Sequence, residues 1–191
     1  MKMENKFIAI IFLLLSLTSC MSVATTGAQA VYDRHNIKRA LNNQSIAMQS
    51  YRAIYTSTGR YKDANISVVA FNDAVLITGQ IPSTQMKVEI GQIIKRIAES
   101  KQVYNLTSIG PRPSALTKLS DTWLTAKVKG RLIATDEIDP SQIKVITENG
   151  TVYLLGVIPH DQADIATNIA RTTAGVQHVV KIFSYLQITK T

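Results

Sequence analysis

The chain of 191 residues has one cysteine and three histidines, and these shortages exclude several kinds of protein. A single cysteine cannot form a disulfide within the chain, so disulfides do not hold the fold together. The histidines lie far apart, at His35, His160 and His178, and lack the spacing of a metal site. The sequence contains no Gly-x-Ser-x-Gly elbow and no phosphate-binding glycine loop, and nothing pairs a nucleophile with a base. We therefore expect a protein that is not an enzyme and that uses neither a cofactor nor a metal ion.

Long apolar runs are also scarce, and the most pronounced one stands at the N-terminus. Lys2 and Lys6 precede Phe7 to Leu17, an apolar run of about 11 residues. This length suits the ~7–15 residues of a signal-peptide core and is well below the ~20 residues of a membrane-spanning helix. The pattern predicts a secretory signal peptide over residues 1–19, followed by a polar tether over residues 20–42.

The tetrapeptide that ends this segment is Leu17-Thr18-Ser19-Cys20, which resembles the bacterial lipobox. The resemblance implies cleavage before Cys20 and acylation of its sulfur and of its new amino group. The alternative is an ordinary cleaved signal peptide with an incidental cysteine. Met21 follows instead of the aspartate that signals inner-membrane retention, so the resemblance favours the inner, periplasmic leaflet of the outer membrane. The mature chain would then be lipid-anchored and not inserted.

The formal net charge of +8 is unevenly distributed and bears on the choice of partner. Residues 33–109 contain 10 basic and 5 acidic side chains, whereas residues 119–191 contain 7 of each. A basic protein of the cell envelope meets anionic phospholipid, lipopolysaccharide or peptidoglycan. No zinc-finger, helix-turn-helix or RNA-binding signature is present, so we do not expect a nucleic-acid partner.

An internal repeat organises the rest of the chain. A shift of 77 positions places Ile66-Ser67-Val68 on Ile143-Lys144-Val145. The same shift places Asn72-Asp73-Ala74-Val75 on Asn149-Gly150-Thr151-Val152. So many matches in one register indicate two copies of one structural unit.

The second copy has the clearer pattern. Residues 143–148 alternate in the manner of a strand, Asn149-Gly150 is a strong hairpin signal, and residues 151–157 form the returning strand. Gly156, like Gly79 in the first copy, indicates a bulge or a close backbone approach. A helix over residues 160–173, a stop at Gly175 and a last strand over residues 176–188 complete the unit. Ahead of it, Ser120 or Asp121 is expected to cap a helix that runs to about Ile133.

The domain boundaries follow from the repeat. The first copy is predicted to begin with a helix over residues 43–55 and to occupy residues 43–109. Gly110-Pro111-Arg112-Pro113-Ser114 reads as a stiff segment, and the linker is placed at residues 110–119. The second copy occupies residues 120–188. The predicted fold class is α+β, with two tandem units of helix-strand-strand-helix-strand, each packing its helices on one face of a three-stranded mixed sheet.

This repeated unit resembles the BON domain. The resemblance rests on an Asn-Gly-x-Val-x-Leu-x-Gly segment and a late Gly-Val-x-x-Val, which here are Asn149, Gly150, Val152, Leu154, Gly156, Gly175, Val176 and Val179. Two such domains behind a lipobox resemble the dual-BON outer-membrane lipoproteins. This likeness implies a protein without enzymatic activity that supports outer-membrane integrity at the division site.

One helix carries the candidate site. At about 100° per residue, Leu124, Val128 and Leu132 fall within an arc of roughly 80°, which is the expected core stripe. Trp123 points about 140° away from its centre, and Lys127 lies one turn later. A tryptophan beside a lysine is typical of a lipid headgroup boundary. The alternatives are that Trp123 packs between the domains and that Lys129 and Arg131 belong to a solvated face.

The family resemblance extends this assignment. It implies that the first helix of the second domain binds anionic phospholipid, phosphatidylglycerol in particular, through Trp123, Leu124, Lys127 and Val128. Leu124 and Val128 also lie on the expected core stripe. A competing hypothesis is a protein adaptor, in which the basic first domain docks outer-membrane assembly or peptidoglycan-remodelling machinery. In that domain, Tyr51, Tyr55 and Tyr61 with Arg52 and Arg60 form either an aromatic and basic contact surface or an inter-domain packing cluster.

Overall fold

A computed structural model describes residues 27–56, 61, 63–99 and 101–186, with side chains from residue 37 onward. The predicted signal peptide and Cys20 lie outside these residues. The chain divides into two units, residues 1–38 and residues 39–191. Everything described below belongs to the second unit, apart from the first turns of helix α1. Among the described residues, no helix combines the length and the apolar composition that crossing a bilayer requires.

The described residues of the first domain form two helices and four strands. They follow in the order α1 (Gly27–Tyr55), β1 (Asn65–Phe71), β2 (Ala74–Ile81), α2 (Thr84–Ala98), β3 (Gln102–Asn105) and β4 (Ser108–Ile109). β1 pairs with β2 as an antiparallel hairpin that turns at Asn72, which has a φ of 50°. β3 and β4 both pair with β2 in parallel and form one interrupted third strand.

The second domain repeats this arrangement. It contains α3 (Ala115–Ile133), a short 3-10 turn (Pro140–Gln142), β5 (Ile143–Glu148), β6 (Thr151–Ile158), α4 (His160–Arg171) and β7 (His178–Tyr185). β5 pairs antiparallel with β6, and β6 pairs in parallel with β7. Asn149 and Gly150 have φ values of 48° and 74°, as a tight hairpin turn of this kind needs. The predicted α+β class and the tandem helix-strand-strand-helix-strand order are confirmed.

Each domain has its own core between helices and sheet. Side chains from α1, α2 and one face of the first sheet form the first core, with Ile54, Val75, Ile77, Ile90 and Ile94 fully buried. The second core is built in the same way from α3, α4 and the second sheet, with Val128, Val152, Leu154, Ala166 and Ala170 fully buried. In each domain the helices therefore cover only one face of the sheet.

A third apolar cluster joins the two sheets. Leu76, Tyr153, Leu155 and Ile182 are buried together, with Phe71, Tyr104, Ile146 and Val180 packed around them. Side chains alternate between the two faces of a strand, so Leu76 points away from the core that holds its neighbours Val75 and Ile77. The central strands β2 and β6 are consequently covered on both faces, and the two domains share one packed interface.

Several predicted boundaries differ from the observed ones. α1 begins at Gly27 and not at residue 43, because no glycine or proline interrupts residues 28–56. α3 begins at Ala115, because the Ser114 hydroxyl accepts a hydrogen bond from the Thr117 amide at 3.0 Å. Residues 115–119, placed in the linker by the sequence prediction, are therefore helical. Helix α4 ends at Arg171 and not at residue 173. Of the predicted strand over residues 176–188, the structure shows His178–Tyr185 as β7, and residues 187 and 188 lie outside the described residues.

The prediction of close backbone approach at two strand glycines is confirmed. A Cβ added at Gly156 would lie 2.6 Å from the Gln142 carbonyl oxygen, and one added at Gly79 would overlap the Asn65 carbonyl oxygen. Both strands keep an uninterrupted register, so these glycines allow close packing without a bulge.

Candidate functional site

Helix α3 has a buried face that holds it to the second core. Leu124 is 4% exposed, Leu132 is 1% exposed and Val128 is fully buried. Gly175, at a φ of 99°, lies so close that a Cβ there would be 2.9 Å from a Leu124 methyl group. The structure therefore places Leu124 and Val128 beneath the surface, where neither side chain is accessible to a lipid.

The opposite face of α3 exposes three large apolar side chains. Leu116, Leu119 and Trp123 are 76%, 66% and 65% exposed. At about 100° per residue they lie within roughly 60° of one another, and we call them the α3 stripe. Trp123 is thus accessible, which argues against the alternative that it packs between the domains. A folded helix does not need apolar side chains on its solvent face, so this stripe is available to bind a partner.

Leu116 and Leu119 were not among the predicted site residues. The predicted helix starts at Ser120 or Asp121, so both leucines fall in the predicted linker. Leu119 and Trp123 follow Leu116 by three and seven residues, which is the spacing of one helix face. Together with Ser114 as a helix cap, this spacing could have predicted the longer helix.

The basic side chains of α3 differ in what they contact. Lys127 is half-buried, and its Nζ donates a hydrogen bond to the Ala174 carbonyl oxygen at 2.7 Å. Arg131 donates to the Ile169 carbonyl oxygen at 2.7 Å and to the Thr173 hydroxyl at 2.8 Å. Arg131 is exposed, as expected for a solvated face, and its guanidinium also binds the end of α4. Lys127 keeps two further N–H donors and lies one turn beyond Trp123.

Asp121 fixes the position of α3 on the second sheet. Its buried carboxylate accepts hydrogen bonds from the amides of Asn149 at 2.7 Å and of Gly150 at 2.9 Å. The hairpin turn has its amides directed inward, and a charged acceptor satisfies both. Asp121 is therefore part of the helix interior and ties it to the hairpin, instead of capping the helix as predicted.

A groove of about 440 Å³ separates α3 from the first domain. Its lining includes Tyr51 of α1, Asn65 of β1, and Lys118, Thr122 and Lys129 of α3. Glu148 lies at its end, where the Asn65 side-chain amide donates to Glu148 Oε1 at 3.1 Å and to Gln80 Oε1 at 3.0 Å. This polar contact adds to the apolar cluster that joins the two domains.

Burial raises the pKa of Glu148 above its ordinary value, and the Asp121 carboxylate adds to this effect. The hydrogen bonds from Gln80 and Asn65 and the charge of Lys118 act in the opposite direction but do not outweigh it. Burial likewise raises the pKa of Tyr153, with a further contribution from the Glu148 charge. The contact between the domains therefore contains a carboxyl group whose pKa lies above its ordinary value.

We expect Glu148→Gln to weaken the pH dependence of stability. The unfolded chain releases this proton near the ordinary pKa of 4.5, while the folded chain keeps it to higher pH. The folded state thus binds more protons in that range, and the free energy of unfolding falls as pH rises. The glutamine oxygen can still accept from Asn65. Urea titrations at pH 4.5 and pH 7 should show a smaller fall for the variant, and a larger fall would contradict the assignment.

Comparison with known proteins identifies the family. Residues 36–111 and 120–187 each match the BON domain. The chain belongs to the BON-domain family. It is similar to the outer membrane lipoprotein DolP of Haemophilus influenzae, with 28% identity over 93% of this chain and 92% of the relative. The predicted likeness to a dual-BON outer-membrane lipoprotein is therefore confirmed.

Two other relatives match shorter stretches. The 21 kDa hemolysin of Actinobacillus pleuropneumoniae is 34% identical over 66% of this chain and 65% of the relative. The osmotically-inducible protein Y of Escherichia coli is 27% identical over 62% of this chain and 60% of the relative. The two separate matches to the BON domain agree with the internal repeat.

Proposed function

We propose that this chain is a non-enzymatic lipoprotein that is anchored in the periplasmic leaflet of the outer membrane through Cys20 and binds anionic phospholipid through α3. The observation that carries the proposal is the exposure of Trp123 beside Leu116 and Leu119, on the side of the helix away from the core. Similarity to an outer membrane lipoprotein over nearly the whole chain supports the location. A role in outer-membrane integrity at the division site is part of the same proposal.

The physical basis is the mixed character of the α3 stripe and its surroundings. An indole ring enters the apolar layer while its N–H remains hydrated, and two leucines add apolar area beside it. Lys127 has donors left for a phosphate group, and each basic residue near an anionic surface contributes about 1 kcal/mol. A single helix face of this kind binds weakly. An acyl anchor on the same chain compensates by keeping the helix at a high effective concentration near the membrane.

Trp123→Glu is expected to abolish most binding of the unlipidated protein to vesicles that contain phosphatidylglycerol. A carboxylate at this position opposes both apolar insertion and the anionic surface. Cosedimentation with phosphatidylglycerol and with phosphatidylcholine vesicles measures the effect. Val88→Glu is the matched control, since Val88 is an exposed apolar residue on helix α2 of the first domain.

Two results would overturn the proposal. One is unchanged vesicle binding by Trp123→Glu, provided that circular dichroism shows an intact fold. The other is a dominant protein crosslink through residues 115–133 in cells, together with no affinity for lipid. That second result would favour an adaptor for outer-membrane assembly or peptidoglycan-remodelling proteins.

A further inference from the structure

Helix α1 also exposes an apolar stripe on the side away from its core. Leu41, Met48, Tyr51 and Tyr55 are all exposed, whereas Ile46, Ser50 and Ile54 on the other side are buried. Leu41, Met48 and Tyr55 recur every seven residues, so the four exposed side chains lie within an arc of roughly 80°. We call these four residues the α1 stripe.

The α1 stripe is not needed to complete the first core. That core is closed by the opposite face of α1, through Ile46 and Ile54. Tyr51 and Tyr55 instead stack on each other, with ring centroids 6.0 Å apart. The stripe extends for about 21 Å along the helix at 1.5 Å per residue. Gln44 lies in the same arc between Leu41 and Met48, and the Tyr51 hydroxyl accepts a hydrogen bond from the Val68 amide at 3.4 Å. Among the described residues of this domain, the rest of the stripe forms an apolar surface that the fold leaves exposed.

The charges around the α1 stripe favour an anionic occupant. Every charged side chain between Asp33 and Asp63 is basic. Two of these, Arg39 and Arg52, are exposed on the same helix as the stripe. A second copy of this helix would bring like charges together, which disfavours self-association. An apolar stripe with basic flanks and amphipathic tyrosines at one end matches a helix that lies in the headgroup region of an anionic bilayer.

One end of the α1 stripe reaches the groove that separates α3 from the first domain. Tyr51 lines one side of the groove between the domains, and Lys118, Thr122 and Lys129 of α3 line the other. The groove thus lies beside the α3 stripe, and it carries these two lysines together with the carboxylates of Asp121 and Glu148. An anionic surface that meets the α3 stripe finds basic side chains along this groove before it reaches Tyr51.

We propose that the α1 stripe is a second contact for the anionic phospholipid surface. This inference rests on the proposed function of α3 and adds the first domain to it. Two weak contacts on one molecule reinforce each other, because the second forms within a molecule that the first has already placed at the membrane. The first domain then contributes to the strength of membrane binding as well as to the fold.

Two optical signals in the same molecule can test each helix separately. Trp123 is the only tryptophan, so its emission reports the environment of α3. Cys20 is the only cysteine, and its sulfur is acylated in the proposed lipoprotein, so a cysteine at position 48 is the only free thiol for an environment-sensitive dye. The full chain is processed in bacteria and reconstituted into nanodiscs with or without phosphatidylglycerol. Unsubstituted protein must remain unlabelled.

We expect Trp123 and the dye at Met48→Cys to shift to shorter wavelength in discs with phosphatidylglycerol, and less so in phosphatidylcholine discs. A dye at Val88→Cys should not shift. Met48→Glu should weaken the binding of unlipidated protein to anionic vesicles about tenfold, in line with the loss of one buried apolar side chain.

Three results would overturn the inference in distinguishable ways. A shift at Trp123 without one at position 48 removes the α1 contact and leaves the proposed function in place. A shift at position 48 that grows with protein concentration in the absence of lipid assigns the stripe to a second copy. No shift at either position, or equal shifts in both kinds of disc, removes the anionic lipid surface as the partner of both helices.

Discussion

Asp121→Ala is expected to lower the free energy of unfolding by about 3 kcal/mol, since two buried amides lose a charged acceptor. The Asn149 and Gly150 amides donate to this carboxylate at 2.7 and 2.9 Å, and Asp121 is 7% exposed. Alanine cannot replace either hydrogen bond, and little water reaches the site to do so. Urea unfolding followed by circular dichroism measures the loss.

Two further variants separate this contact from a general effect of removing charge. Asp121→Asn keeps one acceptor oxygen but turns an NH₂ group toward the second amide, so we expect an intermediate loss. Asp136→Ala removes an exposed carboxylate and should change the free energy of unfolding by less than about 0.5 kcal/mol. Equal stability of Asp121→Ala and the wild type would contradict the assignment.

The fold could be predicted from the sequence wherever a local pattern and the repeat agreed. Asn149-Gly150 predicts the hairpin turn, and the alternation over residues 143–148 predicts strand β5. The repeat at a shift of 77 positions predicts the same turn and strand in the first domain. The spacing of Leu124, Val128 and Leu132 correctly predicts the buried face of α3. These features depend on neighbours within one element, which is why the sequence reveals them.

The contacts between distant elements could not be predicted in this way. Asp121 looked like a helix cap, since aspartate is common at that position. Its actual partners are the hairpin amides 28 and 29 residues further along the chain. The cluster of Leu76, Tyr153, Leu155 and Ile182 likewise depends on how two sheets meet, which no local periodicity encodes.

Helices α1 and α3 were predicted too short for a related reason. Each has apolar residues on two opposite faces, one for the core and one exposed. A helix predicted from its core-facing apolar residues alone ends where those residues end, even when the helix continues. The first turns of α3 contribute Leu116 and Leu119 to the exposed face only, so they resembled a linker. The exposed leucines that belong to the candidate site are thus also the residues for which the start of α3 was predicted wrongly.

Gly79→Ala should have the largest effect on the first domain, with a loss of about 3–5 kcal/mol from backbone strain and overlap together. Gly79 has a φ of 117°, which side-chain-bearing residues rarely adopt. An added Cβ would also overlap the Asn65 carbonyl oxygen, which belongs to the neighbouring strand and cannot rotate away. Strand β2 would have to move from β1, and the Asn65 side chain that contacts Glu148 of the second domain would move with it.

Gly130→Ala is expected to change the free energy of unfolding in the opposite direction. Gly130 is in helix α3 with an ordinary φ, and a Cβ there would meet nothing within 4 Å. Alanine should therefore stabilise the protein by about 0.5–1 kcal/mol, because it favours the helix and restricts the unfolded chain. Urea midpoints of the two variants should move in opposite directions from the wild type. A Gly79→Ala midpoint equal to or above that of the wild type would show that the close approach of β2 to β1 does not constrain this strand, and a lower Gly130→Ala midpoint would contradict the expectation for α3.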